Sequence, residues 1–366
     1  MPRHPARPDG AGLEAGSRHR SRFGNDDSIF QEDSRPVILV TGGAGYIGSH
    51  AVKALRAAGF EPLIFDNFST GHRSFVRSTP CVEGDVCNPA DLERAFARYP
   101  IEGVLHFAGK ALVPESHAKP ELYYATNVIG GLHLVTAMKT HSVRYLIFSS
   151  TCATYGIPDA VPIREDFPQK PISPYGDSKL AFERALHWFH ASHGLEYLSL
   201  RYFNAAGADA DAEFGEDHDP ETHLIPLALD AAVGRKPYVT VFGTDYPTPD
   251  GTCLRDYIHV TDLAEAHVAG LTSLMKGRVE SQAVNLGTGR GYSVREVIEA
   301  ARRITGRDFI VREGPRREGD PPALIAAVDR ARDLLGWTAR ASSIEQIIAS
   351  AWNWHQRFRP SDKIQS

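Results

Sequence analysis

The stretch VTGGAGYIGSH, residues 40–50, constrains the fold more than any other part of the sequence. It follows the apolar run VILVT (37–41) and opens a helical pattern. Its glycines at 43, 45 and 48 satisfy GxGxxG, while Gly42, Gly45 and Gly48 satisfy GxxGxxG. Glycine at such a junction permits a tight turn and a close approach of backbone to a pyrophosphate. The anion's charge then rests on the N–H groups and the positive end of the helix. A tight turn with no ligand could use the same glycines, so the surrounding pattern has to decide.

That pattern is an alternation of short apolar runs with helical segments, the signature of βαβ units and a parallel sheet. VILVT (37–41), PLIFD (62–66), GVLHFA (103–108), YLIFSS (145–150) and YLSLRYF (197–203) are too continuously apolar to be half-exposed, as strands buried on both faces are. Helical segments are expected near 50–58, 89–98 and 126–140. After Asn204 the regularity breaks into an acidic loop, GADADAEFGEDHDPETH. It resumes weakly with short strands at 239–243, 255–260 and 283–287 and helices at 261–274, 293–305 and 343–355. The expected architecture is α/β: a Rossmann-type doubly wound parallel sheet over 36–203, with a smaller mixed α/β substrate lobe over 204–358, partly interleaved with the first domain. Residues 1–35, rich in Arg, Gly, Pro, Ser and Asp without apolar periodicity, read as a disordered extension, and 359–366 as a tail.

Composition narrows the class. With 42% hydrophobic residues, 23% charged residues and a formal charge of -5, the chain can bury a sizeable core and presents no basic surface for nucleic acid. No window approaches the roughly 18 apolar residues of a membrane span. Four cysteines, Cys81, Cys87, Cys152 and Cys253, form no CxxC pair, which fits a reducing cytoplasm.

Asp66 closes the second expected strand, 18 residues after Gly48, and is followed by Asn67 rather than a basic residue. A carboxylate there accepts hydrogen bonds from an adenosine ribose and repels a 2′-phosphate, so NAD is expected over NADP. Asp85, Val86, Phe107, Ala108 and Gly109 fall at the ends of the third and fourth strands, where open α/β sheets bind ligands.

In SPYGDSKL (173–180), Ser173 can cap a helix that starts at Pro174, which places Tyr175 in the first turn. Lys179 lies one turn on, on the same face, and the stripe continues through Phe182, Leu186 and Phe189. A nearby ammonium and a positive helix end both favour a phenolate, so the expected effect on Tyr175 is a lowered pKa. Thr151 ends the run FSST, where its hydroxyl could bond both a substrate hydroxyl and the phenol, or cap a turn. These residues suggest proton transfer from an alcohol coupled to hydride transfer to a nicotinamide.

The combination of VTGGAGYIGSH, HFAGKALVPES, FSSTCATYG, SPYGDSKL, LRYFNAAGA, VFGTDYPTPDGTCLRDYIHVTDLAEAH and RREGDPPAL resembles the UDP-glucose 4-epimerase family of extended short-chain dehydrogenase/reductases, over residues 36 to about 356. The resemblance implies tightly held NAD and a redox-neutral cycle. Tyr175 would take the proton of the sugar 4-hydroxyl as hydride leaves C4 for NAD, and the 4-keto sugar would receive hydride on its other face. Lys179 would bond the nicotinamide ribose, and Thr151 would orient the hydroxyl. Tyr46, Ile47, Asp66, Asn67, Asp85, Val86, Phe107, Ala108, Gly109, Asn127 and Phe203 match cofactor-contacting positions. Asn204, His223, Leu224, Phe242, Arg255, Arg317 and Asp320 match positions that hold the UDP-sugar, and guanidinium groups suit a diphosphate. The resemblance also implies a homodimer.

Three positions depart from the family pattern. Lys110 directly follows Gly109, with Ala111 where many relatives carry the lysine. His223 stands where some have Asn, and Leu324 is smaller than the tyrosine of others. Epimerases of UDP-xylose/UDP-arabinose or UDP-N-acetylhexosamines share the mechanism, and a non-catalytic NAD-binding scaffold remains a reading of another class. A 4,6-dehydratase would need an acid after Thr151, where Cys152 and Ala153 stand. No metal site is expected. His187, His190 and His193 have no partner ligands at suitable spacing, and the acidic loop lacks a calcium-loop pattern.

Overall fold

The computed structural model describes residues 35–358 except Glu318. The expected tail at 359–366, and all of the expected N-terminal extension but Arg35, lie outside the described residues. The strands in chain order are β1 (Val37–Thr41), β2 (Glu61–Asp66), β3 (Cys81–Glu83), β4 (Ile101–His106), β5 (Tyr145–Thr151), β6 (Glu196–Tyr202), β7 (Asn204–Ala206), β8 (Val239–Phe242), β9 (Leu254–His259), β10 (Gln282–Leu286), β11 (Gly291–Ser293), β12 (Val311–Gly314) and β13 (Ala323–Leu324).

Seven of them form a parallel sheet in the order β10-β6-β5-β4-β1-β2-β3. Its strands are apolar throughout because both faces are covered. Ile38 and Val40 pack on one side with the helices Tyr46–Ala57 and Val260–Met275. Leu39 packs on the other with Pro89–Arg98, Gly131–Thr140 and Pro174–His193. A fully buried Leu or Ile contributes roughly 1.5–3 kcal/mol. From β1 the chain builds outward through β2 and β3, then crosses to β4 on the other side. The strand order therefore reverses between β1 and β4, and a crevice opens at their carboxyl ends.

Two helices begin where the apolar period does not show them. The first starts at Tyr46 rather than near residue 50, because Gly45 and Gly48 occupy positions where an apolar period would be read. The segment expected as one helix over 126–140 has a π-helical turn, Tyr124–Gly130, before the α-helix Gly131–Thr140. The glycine pair at its junction sits under neighbouring side chains. A Cβ on Gly131 would lie 2.6 Å from the Phe182 ring, and one on Gly130 would lie 2.9 Å from Val86.

The smaller sheets are built around β9. It pairs in parallel with β7 and β13 and antiparallel with β11, and β8 pairs with β12 separately. Asp256 of β9 is fully buried. Its carboxylate accepts from the backbone N–H groups of Thr288, Gly289 and Ala326 and from the Thr288 hydroxyl, which ties β9 to the turn that follows β10.

Three buried histidines make the fold acid-sensitive. Burial lowers the pKa of His50 and His267 to about 4 and of His106 to about 3, against an ordinary 6.5. In His50 and His267 the Nδ1 bonds a backbone carbonyl, and the buried Nε2 atoms of all three rings have no hydrogen-bond partner. Their contribution is complete above the unfolded pKa near 6.5 and is lost as pH falls toward 3–4, because the unfolded chain binds the extra protons. Each costs about 1.4 kcal/mol per pH unit in that window. The thermal midpoint should therefore fall progressively between pH 6.5 and 4. A His106→Gln variant should show a shallower decline, and an unchanged slope would contradict this account.

Candidate functional site

The crevice at the switch point is a cavity of about 690 Å³ that runs from the glycine loop to the Tyr175 helix. Gly42 has φ +71°, and a Cβ there would lie 2.6 Å from the Ala108 nitrogen. A Cβ on Gly48 would lie 2.1 Å from the Gly42 carbonyl oxygen, so Gly48 seats the helix on the turn. Gly45 caps the helix with extended backbone and lines the cavity. The helix-start N–H groups of Tyr46 and Ile47 have no intrahelical acceptor, as first-turn donors never do. Residues that leave a pyrophosphate-sized cradle at a positive helix end fit a dinucleotide.

Asp66 ends β2 with its carboxylate accepting from the backbone N–H groups of Ala44 (3.0 Å) and Phe68 (2.8 Å). Burial pushes its pKa up, partly offset by those bonds. Besides facing the cavity, Asp66 thus locks the glycine loop to β2. Asn67 donates to Asp85 at 3.0 Å, and both line the cavity with Val86, Phe107, Ala108 and Gly109.

Several expected cofactor residues act less directly. The Tyr46 hydroxyl points away to donate to the Gly207 carbonyl (2.6 Å). Asn127 is not among the lining residues. It clamps the backbone of Lys110 in both directions and donates to Ser178. Gly109 must lack a side chain because a Cβ would meet Asn127 Oδ1 at 2.9 Å and Lys179 Nζ at 3.3 Å. Lys110 and Phe203 line the cavity.

The helix Pro174–His193 starts as expected, with Ser173 Oγ accepting from the Gly176 N–H at 3.2 Å. Tyr175, Lys179 and Thr151 meet in the cavity, where the Thr151 hydroxyl, which caps the turn Cys152–Tyr155, also favours the Tyr175 phenolate. The expectation of a lowered phenol pKa is corrected. Burial pushes Tyr175 well above its ordinary value, and the Thr151 hydroxyl offsets this only in part. Lys179 donates to the Ser149 carbonyl (3.0 Å) and sits over the Phe148 ring, and burial lowers its pKa to about 8. One turn on, Glu183 favours the charged ammonium.

On the substrate side, Asn204, His223, Arg255 and Leu324 line the same cavity, while Leu224, Phe242, Arg317 and Asp320 do not. Arg255 pairs with Asp320, and the Arg317 guanidinium lies 4.1 Å from the centre of the Phe242 ring. The two arginines therefore come braced, Arg255 in the cavity lining by Asp320 and Arg317 over the Phe242 ring. Ser149 and Tyr202, joined through their hydroxyls at 2.6 Å, also line it. Sequence reasoning missed both. Ser149 acts on Lys179 through its carbonyl, which no side-chain pattern reveals. Tyr202 sits in a strand run and reads as core. Glu216 and His218, within the acidic loop that follows Asn204, line the cavity as well.

Residues 38–287 match the family described as NAD dependent epimerase/dehydratase. The UDP-glucose 4-epimerase of Lacticaseibacillus casei is 47% identical over 320 residues, covering 87% of this chain and 96% of that protein. The crystal structure of UDP-glucose 4-epimerase from Brucella ovis in complex with NAD superposes with a TM-score of 0.85 at 49% identity, covering 87% of this chain and 98% of that one. A UDP-glucose-4-epimerase from Stenotrophomonas maltophila with bound NAD and formylated UDP-arabinopyranose gives 0.86 at 38% identity, covering 89% and 99%. With the glycine cradle, the Tyr175–Lys179 helix and these likenesses over most of its length, the chain belongs to the NAD dependent epimerase/dehydratase family.

Proposed function

We propose that this chain interconverts UDP-glucose and UDP-galactose by epimerisation at C4 through a 4-keto intermediate. The observation that carries the reading is one cavity that holds a dinucleotide cradle, the Tyr175 phenol together with Thr151 and Lys179, and the Asp320-braced Arg255. NAD, when bound, supplies the hydride acceptor and donor and, oxidised, a positive charge. Tyr175 accepts the proton of the 4-hydroxyl and returns it to the keto oxygen, with Thr151 holding the phenol in line. Burial keeps the phenol protonated in isolation, so positive charge in the cavity is needed before it can act as a base. Lys179, gripped by Ser149, supplies part of that charge. Gly42, Gly45, Gly48, Tyr46, Ile47 and Asp66 hold the cofactor, with Asn127 positioning the 109–110 loop. Arg255, Arg317, Asn204 and His223 receive the diphosphate, and Phe242, Leu224 and Asp320 complete the nucleotide end.

Purified protein given a panel of UDP-sugars without added NAD should equilibrate UDP-glucose with UDP-galactose, read as resolved C4 epimers. Turnover confined to UDP-pentoses or UDP-N-acetylhexosamines would replace the substrate assignment. Bound NAD with no turnover of any sugar would favour a scaffold.

A homodimer accompanies this reading. Trp188 (68% exposed) and Ile129 (49% exposed) are large apolar side chains left open on the two packed helical segments 174–193 and 124–140, and contact with a second copy would cover them. Light scattering should return twice the chain mass of 40.1 kDa. Four unpaired cysteines support a cytoplasmic location. Among the described residues no helix is long and apolar enough to cross a membrane.

A further inference from the structure

Four side chains of the loop 216–223 converge on one point at the cavity wall. Glu216 Oε1 lies 2.7 Å from His223 Nδ1 and 3.3 Å from His218 Nδ1. Glu221 approaches the same nitrogens, with Oε1 3.2 Å from His223 and Oε2 3.9 Å from His218. One ligand atom from each residue can be chosen so that all four lie within 4.8 Å of one another. Ligands bound tetrahedrally at about 2.0–2.2 Å stand roughly 3.3–3.6 Å apart, and the observed separations bracket that value.

We propose that Glu216, His218, Glu221 and His223 form a binding site for a divalent transition cation, zinc foremost. The side chain of Glu221 is only 5% exposed, yet its Oε2 has no hydrogen-bond partner, and neither has His218 Nδ1. A buried carboxylate oxygen without a donor is costly, and a cation removes that cost. A proton on His223 would serve Glu216 and Glu221 Oε1 but would leave the other two atoms unserved. Two imidazoles with two carboxylates suit zinc. Calcium prefers six to eight oxygens, and softer ions prefer sulfur. This site departs from the sequence expectation of no metal. A bound cation would pin the 216–223 loop against the cavity that Glu216, His218 and His223 line.

The test uses the full chain, stripped by chelator dialysis and titrated with Zn²⁺ against a chromogenic chelator. One tight equivalent per chain is expected, with a rise in thermal midpoint. His218→Ala and Glu221→Gln should each weaken binding by at least about tenfold and remove the thermal shift. Co²⁺ added to the wild type should give the intense visible bands of four-coordinate cobalt, a readout independent of how the variants fold. Unchanged zinc affinity in both variants, which would place the ion elsewhere, overturns the site, as does absence of stoichiometric binding or an octahedral cobalt spectrum. The readout is metal binding, so a negative result leaves the epimerase reading untouched.

Discussion

Replacing Tyr175 by Phe should lower kcat for C4 epimerisation by about 10²–10⁴-fold while NAD stays bound. The substitution keeps a ring in a half-buried site at the cavity wall, where it lies edge-on to Tyr123 with centroids 6.4 Å apart, so the fold and the cradle are left intact. What disappears is the hydroxyl that faces the cavity beside Thr151. The glycine loop and Asp66 are unaltered, so cofactor content released by denaturation should match wild type. Thr151→Ala should fall between the two, since it leaves the phenol but removes the partner that partly offsets its burial. A Tyr175→Phe enzyme with near-full turnover would end the proton-transfer assignment.

The extent to which this site was legible differs residue by residue, and the differences are physical. The glycine loop, Asp66 and the Ser173-capped helix were readable because each depends on local rules: a turn that tolerates no Cβ, a strand-end carboxylate, a cap followed by proline. The strands β1, β2, β4, β5 and β6 were readable because burial on both faces leaves an unbroken apolar run. The short strands β3, β7, β11 and β13, of two or three residues each, were not, because their pairing partners rather than their own composition make them strands. The sign of the Tyr175 shift was misjudged for a similar reason. Lys179 and the helix start show in the sequence, but desolvation by the surrounding chain does not, and burial outweighs the helpers. The Glu216–His223 cluster follows neither helical nor strand spacing, so only the folded loop brings its ligands together.

Truncating Glu183 should be the most destabilising single change near the site. Its carboxylate and the Arg201 guanidinium are 7% and 6% exposed and meet at 2.6 Å, with a second nitrogen at 3.0 Å. Arg201 also donates to the Tyr155 hydroxyl, which donates to Asn285, and Ser150 donates to Glu183. The network bolts the Tyr175 helix to β5, β6 and β10. Glu183→Ala strands a buried guanidinium, which should cost about 3–5 kcal/mol in urea unfolding. A Glu183→Leu/Arg201→Leu pair should recover part of that, because the partner charge goes too. Singles within about 1 kcal/mol of wild type would show the pair to be expendable. The double variant also separates packing from electrostatics. Glu183 holds up the pKa of Lys179 against burial, so a double variant with recovered stability should still lose activity at a lower pH on the alkaline side than wild type. An unshifted alkaline limb would mean that Glu183 serves the fold alone.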